Sequence, residues 1–215
     1  MQRIRSNTLL LASIACLLGG GVPAQAEPAA PGFLPANAKP HGQSLVELAT
    51  AYMAWGLSAP PDVNPLLNPR CEQSTIDPHI WFVPVSLGGE LEVTCDVPQG
   101  SFLVILAGGV ECSEAEGSGS TEGELLDCVE AGFATITNVE VTLDGNAATL
   151  DDYVVTTLFD VLPPDNVFSA DPTPTMTKGY FLVTTPLSRG THMLRTFDEF
   201  SDGFQAGATF TIIVR

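Results

Sequence analysis

The sequence predicts an all-β protein, an antiparallel β-sandwich of the jelly-roll or immunoglobulin-like type with two short covering helices. Seven to nine short apolar or alternating segments are separated by turn residues; in residues 91–97, apolar and polar residues alternate until Pro98 ends the pattern. Helical spacing after a capping signal occurs at only two places. Many short strands with few helices are typical of a sandwich.

Each predicted helix begins at a capping box, in which a Ser or Thr is followed three residues later by Glu. Ser44 with Glu47 predicts a helix that must end before Pro60, and Thr121 with Glu124 predicts a second one. Both helices carry apolar residues on one face, so we expect each to cover one side of the domain.

The predicted strands alternate with turn signals along the rest of the chain. Asp144-Gly145 favours a tight hairpin turn because both residues tolerate a positive φ. Two of the strands, at residues 80–85 and 102–107, are continuous apolar runs, which indicates that both of their faces are covered. The other strands are expected at residues 91–97, 139–143, 153–161, 180–185, 191–197 and 210–214.

The N-terminus predicts export. A basic start, an apolar run and small residues at 24–26 predict a signal peptide over residues 1–26, followed by a Pro/Ala-rich flexible tail at 27–43 and a single domain at 44–215. The protein is then periplasmic or extracellular, without an integral membrane segment after processing. The alternative is a lipoprotein anchored through Cys16.

The mature chain is strongly acidic. Residues 1–26 contain two arginines and no acidic residue, so their removal changes the formal net charge from −17 to −19. Such a charge disfavours nucleic-acid partners and anionic membrane surfaces. The expected partners are an extracellular glycan or another envelope protein.

Four cysteines remain after processing: Cys71, Cys95, Cys112 and Cys128. In an exported protein an even number favours two disulfides, and the absence of a C-x-x-C pair disfavours zinc. Three pairings are possible. We favour Cys71–Cys95 with Cys112–Cys128, because sequential pairs close the shorter loops.

Common catalytic signatures are absent, including G-x-S-x-G and H-E-x-x-H. His192 and His79 are the candidate general bases, and Tyr153 or Tyr180 is the candidate acid in lyase-type chemistry. A histidine at a strand end more often has a structural role, which leaves catalysis uncertain.

Calcium is the best candidate cofactor, because oxygen-rich side chains cluster in predicted loops. The segment DEFSDG resembles the start of an EF-hand loop, although Phe200 stands at the third position. Aspartate and asparagine also favour turns for backbone reasons alone. The candidate ligands are Asp151, Asp152, Asp165, Asn166, Asp198 and Asp202.

Several short motifs occur in a familiar order. Trp55, Cys71, the segment IWFV, the segment CDVPQG and the late turn PLSRGTH follow one another between residues 50 and 214. The chain thereby resembles a group of uncharacterised exported bacterial proteins with a Trp, Cys, "VWF", "C.VP.G" core and a late "PL.pGxH" turn. The resemblance implies export and this fold, and it implies no activity.

Three function hypotheses follow from the sequence. The first is a non-catalytic binding or accessory module at the cell envelope or outside the cell. The second is a glycan-active enzyme, a polysaccharide lyase or hydrolase. The third is a structural envelope or matrix component. A groove lined by aromatic residues would favour the first, a His–Tyr–carboxylate cluster the second, and a flat surface with a long unpaired edge strand the third.

Overall fold

The computed structural model describes residues 32–215; the predicted signal peptide, Cys16 and the first residues of the predicted tail lie outside this range. The two helices begin where the capping boxes predict: α1 is Leu45–Leu57 and α2 is Glu122–Phe133. In each box the side-chain hydroxyl of Ser44 or Thr121 accepts a hydrogen bond from the backbone N–H of the Glu. The Glu carboxylate in turn accepts one from the backbone N–H of that Ser or Thr. Short 3-10 turns occupy Pro40–Gly42 and Asp151–Tyr153.

Eleven strands lie within residues 32–215 and form two sheets. The first sheet has the order β1-β2-β4-β9-β7, with β8 also paired to β9, and the second has the order β3-β11-β10-β5-β6. The strands are β1 (Glu72–Gln73), β2 (Ile80–Phe82), β3 (Gly89–Val97), β4 (Phe102–Ser113), β5 (Ile136–Leu143), β6 (Asn146–Ala147), β7 (Val154–Thr156), β8 (Asp160–Leu162), β9 (Thr173–Val183), β10 (Gly190–Phe200) and β11 (Gln205–Val214).

The two sheets are mixed, which corrects the prediction of an antiparallel all-β sandwich. β2 pairs with β4 in parallel, and β3 pairs with β11 in parallel; the remaining pairs are antiparallel. Alternation within a strand shows which face is buried but not the direction of its neighbour. The chain is therefore mainly β, sandwich-like, and carries two real helices.

Two large apolar cores hold α1 and the two sheets together as three layers. One lies between α1 and the first sheet and contains Tyr52, Phe82 and Phe181; the other lies between the sheets and contains Ile105 and Phe210. β4 contributes to both cores, so the prediction that this strand is covered on both faces is confirmed. A small third cluster lies beneath α2.

The structure contains the two predicted disulfides with the favoured pairing. Cys71–Cys95 joins the segment before β1 to β3, and so connects the first sheet to the second. Cys112–Cys128 fixes α2 to the end of β4.

Part of the predicted flexible tail is bound to the first sheet. Phe33 forms a bridge with Thr184, and Leu34 donates its backbone N–H to the Val183 carbonyl at 2.8 Å. Proline cannot donate to a ladder, so this proline-rich segment pairs through residues between its prolines, here Phe33 and Leu34. None of the helices within residues 32–215 is long and apolar enough to span a membrane.

Candidate functional site

An apolar cavity of about 320 Å³ lies beside the end of α1, where β4 and β10 leave the interior of the sandwich. Its volume is at the lower end of the range typical of small-molecule sites. Aliphatic side chains from α1 and β4 form the floor, and exposed Leu87 and Phe204 stand at the rim. The apolar lining residues are Met53, Leu57, Leu66, Val85, Leu87, Leu106, Val167, Phe168, Phe200 and Phe204.

Glycines allow β4 and β9 to approach each other closely beside this cavity. The register between the two strands shifts between Leu106 and Gly109, so β4 contains a bulge beside the cavity. Gly109 lies opposite Gly179, and a Cβ added to Gly179 would lie 2.6 Å from the Leu106 Cδ1. The backbones can approach here only because both residues lack a side chain.

Glu111 brings a carboxyl group to the cavity wall. It follows the bulge on β4 and accepts a hydrogen bond at 2.6 Å from the Thr175 hydroxyl. Burial raises the pKa of Glu111 to about 8, against the opposing effect of that hydrogen bond, and neighbouring Glu116 raises it further. At neutral pH this side chain is mainly a carboxylic acid and can donate as well as accept.

Asp198 brings a second carboxyl group from the other sheet. Along β10 the inward positions are buried, and Asp198 occupies one of them with only 6% of its surface exposed. Burial raises the pKa of Asp198 to about 6. A Cβ on Gly108 would lie 2.8 Å from the Asp198 Cβ, so the carboxyl group is packed directly against the β4 bulge.

Thr177 adds an unsatisfied polar group to the same wall. It lies opposite Glu111 in the β4–β9 register and is 1% exposed. Its hydroxyl has no hydrogen-bond partner among the described residues. Buried hydroxyl groups are usually paired, so this one can form a hydrogen bond with a molecule in the cavity.

The cavity thus combines apolar walls with a few polar groups. Two carboxyl groups with raised pKa values and one unpaired hydroxyl offer both donors and acceptors at one mainly apolar cavity. Such a combination is typical of a site for a small, mostly apolar ligand with one polar or cationic group.

His192, the first predicted general base, is held by hydrogen bonds at both ring nitrogens. Its Nδ1 lies 2.7 Å from the Asp144 carboxylate, and its Nε2 lies 2.8 Å from the Ser188 carbonyl oxygen. Burial alone would lower the pKa of His192, but these two acceptors outweigh burial and raise it. Asp144 also accepts from the Met193 N–H, so the group fixes the Asp144-Gly145 turn against β10.

The other three predicted catalytic residues lie in separate places. Tyr153 donates its hydroxyl to the Leu34 carbonyl at 2.6 Å, whereas the ring of Tyr180 packs against Phe133 at 5.2 Å. His79 precedes β2 and stacks on His41. None of the four lines the cavity.

The predicted calcium ligands also lie in separate parts of the structure. Asn166 uses its amide within its own loop, donating to Pro163 and accepting from Phe168. Asp202 accepts from the Phe204 N–H in the β10–β11 turn, while Asp198 points into the sandwich. Asp151 and Asp152 occupy a 3-10 turn, and Asp165 adopts a positive φ of 58°. Calcium binding stays a prediction.

Sequence reasoning missed Glu111 and Thr177 and assigned Asp198 to a different site. A signal for Glu111 existed, because it is a single carboxylate at the end of the apolar run FLVILAGGVEC. A signal for Asp198 existed as well: it lies four residues after Leu194 in a strand, which places it on the same, inward face. Thr177 carried no such signal.

No family model matches this chain, and no curated protein matches it. Over 63% of its length the chain is similar to a solved structure described as "Structure of PbICP-C in complex with falcipain-2". The match covers 98% of that chain, with 9% identity and a TM-score of 0.28. A TM-score of this size does not establish a shared fold.

Proposed function

We propose that this protein is an exported, non-catalytic binding module, and that its ligand site is the apolar cavity between α1, β4 and β10. The observation that carries the proposal is the unpaired, buried hydroxyl of Thr177 beside two carboxyl groups in an apolar space. Two disulfides accord with an oxidising compartment outside the cytoplasm.

The lining defines the chemistry of the ligand. The phenylalanines and aliphatic side chains match an apolar body, and the carboxyl groups of Glu111 and Asp198 match an amine. An ammonium group near a carboxylate in a poorly hydrated space gains more than it would in water. The proposed ligand is therefore an amphipathic amine, either a free molecule or the end of a larger one.

The two alternatives have weaker support. A glycan-active enzyme would need a histidine, a tyrosine and a carboxylate in one cluster. His192 and His79 each contact an aspartate, but Tyr153 and Tyr180 make their contacts elsewhere. The nine-residue strand β3 is a long free edge, the feature expected of a matrix component, but it carries Glu90, Glu92 and Asp96. Such charges oppose edge-to-edge pairing.

The test is calorimetric titration of the protein of residues 27–215 with octylamine, octanol and octanoate, which share one apolar body. At about pH 9 both carboxyl groups are ionised and an alkylamine is still cationic. At this pH octylamine is expected to bind most tightly, octanol less tightly and octanoate least, because the ionised carboxyl groups repel the carboxylate of octanoate. Glu111→Gln is expected to weaken octylamine binding about tenfold, which equals about 1.4 kcal/mol, and to leave octanol binding nearly unchanged.

Two leucines provide a matched pair for locating the site. Leu87 and Leu158 are both 58% exposed, but only Leu87 lines the cavity. Leu87→Trp is expected to obstruct the entrance and abolish binding, and Leu158→Trp is expected to bind as the wild type does. Equal binding by both variants, or no binding of any probe by the wild type, would refute the proposal. Saturable oligosaccharide binding or polysaccharide cleavage would instead favour a glycan-directed function.

The pH dependence follows from the raised pKa values. A cationic ligand binds the ionised carboxyl groups, so at low pH it must displace their protons. Octylamine affinity is therefore expected to rise as the pH passes the pKa of Asp198, about 6, and that of Glu111, about 8. Octanol affinity should lack this increase.

A further inference from the structure

A cluster of two histidines and one aspartate lies near the start of β2. The Nδ1 of His41 is 3.0 Å from one carboxylate oxygen of Asp77, and the Nδ1 of His79 is 3.2 Å from the other. One ligand atom from each side chain can be chosen so that all three lie within 4.8 Å of one another. The two imidazole rings stack with their centroids 4.8 Å apart.

The backbone holds the cluster from two separate parts of the chain. Asp77 accepts the His79 backbone N–H at 2.7 Å, and the His79 carbonyl accepts from Phe102 at 2.7 Å, so this loop is fixed to the start of β4. His41 comes from the 3-10 turn before α1 and adopts a left-handed backbone with φ 52°. A positive φ is uncommon for residues other than glycine, although histidine tolerates it better than most.

The surroundings leave the cluster accessible on one side. The side chains of His41 and His79 are 34% and 57% exposed, whereas that of Asp77 is 19% exposed. The ring of Phe102 packs edge-on against His41 at 5.4 Å and closes the opposite side.

We propose that His41, Asp77 and His79 form a binding site for a divalent transition-metal ion of the zinc type. Two imidazole nitrogens and one carboxylate oxygen are a donor set that suits zinc and its neighbours, whereas calcium and magnesium prefer oxygen ligands alone. Three protein ligands with one open side leave a fourth position for water or an external ligand. The bound ion would join the N-terminal segment to the loop before β2. This proposal does not depend on the amine-binding cavity.

The test uses tag-free protein of residues 27–215, stripped with a chelator and titrated calorimetrically with Zn²⁺, Ca²⁺ or Mg²⁺. One Zn²⁺ is expected to bind per chain and to raise the melting temperature, because a ligand that binds the folded state alone stabilises it. His41→Ala, His79→Ala and Asp77→Asn are each expected to weaken Zn²⁺ binding by at least about tenfold. All three side chains lie at the surface, so circular dichroism should show folded variants.

Asp127→Asn is the matched control, because Asp127 is exposed on α2 and lies outside the cluster. It is expected to bind Zn²⁺ as the wild type does. Co²⁺ in place of Zn²⁺ should give visible absorption of a low-symmetry site, and that absorption should be lost in His79→Ala. The proposal is overturned if Zn²⁺ does not bind saturably, if Ca²⁺ binds equally well, or if the three ligand variants bind Zn²⁺ like the control.

Discussion

The two halves of the β4–β9 pair, before and after the bulge in β4, differ in residue type. In the first half large apolar residues face each other, as Leu106 and Phe181 do. In the second half, beyond the bulge, Gly109 lies opposite Gly179 and Glu111 lies opposite Thr177. The first half is part of the apolar cores, and the second half forms a wall of the cavity.

This contrast shows that side-chain volume, rather than backbone pairing, separates the core from the candidate site. Both halves satisfy their backbone groups through the same ladder, so neither requires a ligand for that purpose. Beyond the bulge the glycines let the backbones approach closely, and glutamate and threonine place polar groups at the cavity wall. Substitutions in the first half should therefore change the free energy of unfolding through packing. Substitutions of the carboxyl groups in the second half should change its dependence on pH.

The largest effect is expected in the first half. Phe181 is fully buried and packs against Tyr52, so Phe181→Ala should reduce the free energy of unfolding by about 3–5 kcal/mol. Phe204→Ala, at the exposed rim of the cavity, should cost only about 0.5 kcal/mol. Urea denaturation measures both losses. Similar losses for the two variants would contradict the distinction between the packed first half and the cavity rim.

Glu111→Gln should reveal the pH dependence of the second half. Burial raises the pKa of Glu111 from 4.5 to about 8, so the folded protein retains a proton that the unfolded chain has released. This contribution is complete below pH 4.5 and is lost as the pH rises through about 8. Above that pH the variant should be more stable than the wild type by about 2–4 kcal/mol. This value is smaller than the full pKa difference implies, because solvent partly screens the charge.

The measurement is urea unfolding of both proteins at several pH values from acid to alkaline. Glu114→Gln, in the exposed loop after β4, is the control and should follow the wild type. Parallel curves for Glu111→Gln and the wild type would show that this carboxyl group titrates normally.

Gly179→Ala should show that the close backbone approach at the bulge is required. The added methyl group would meet the Leu106 side chain at 2.6 Å and the Gly108 carbonyl at 2.8 Å. We expect a loss of about 1–3 kcal/mol from overpacking. Gly123→Ala in α2 has open space around the new methyl group and should instead stabilise the helix by up to about 1 kcal/mol. Thermal unfolding compares the two variants.

The smallest effect is expected for Asp198→Asn. Burial raises the pKa of Asp198 from 3.8 to about 6, so its contribution to stability is lost as the pH rises through about 6. Above that pH the variant should be more stable than the wild type by about 1 kcal/mol, a value reduced for solvent screening. Urea unfolding of the variant and the wild type below and above about pH 6 provides the measurement. A stability difference between the two proteins that does not change with pH would contradict the prediction.

Local signals in the sequence predicted the local structure well. The two helix starts depend on contacts between residues three apart, Ser44 with Glu47 and Thr121 with Glu124. The turn at Asp144-Gly145 follows from the positive φ that both residues tolerate. These features were predictable because the interacting groups are neighbours in the chain.

Only the tertiary structure decided strand direction and the candidate sites. β3 lies parallel to β11, and Cys95 is thereby opposite Ile212, a pairing that no local pattern encodes. The cavity likewise combines Glu111 with Asp198 from the other sheet. His41 and Asp77 meet only because the N-terminal segment packs beside the loop before β2. Burial and electrostatic coupling depend on distance in space, so the sequence determined the elements and the packing determined the chemistry between them.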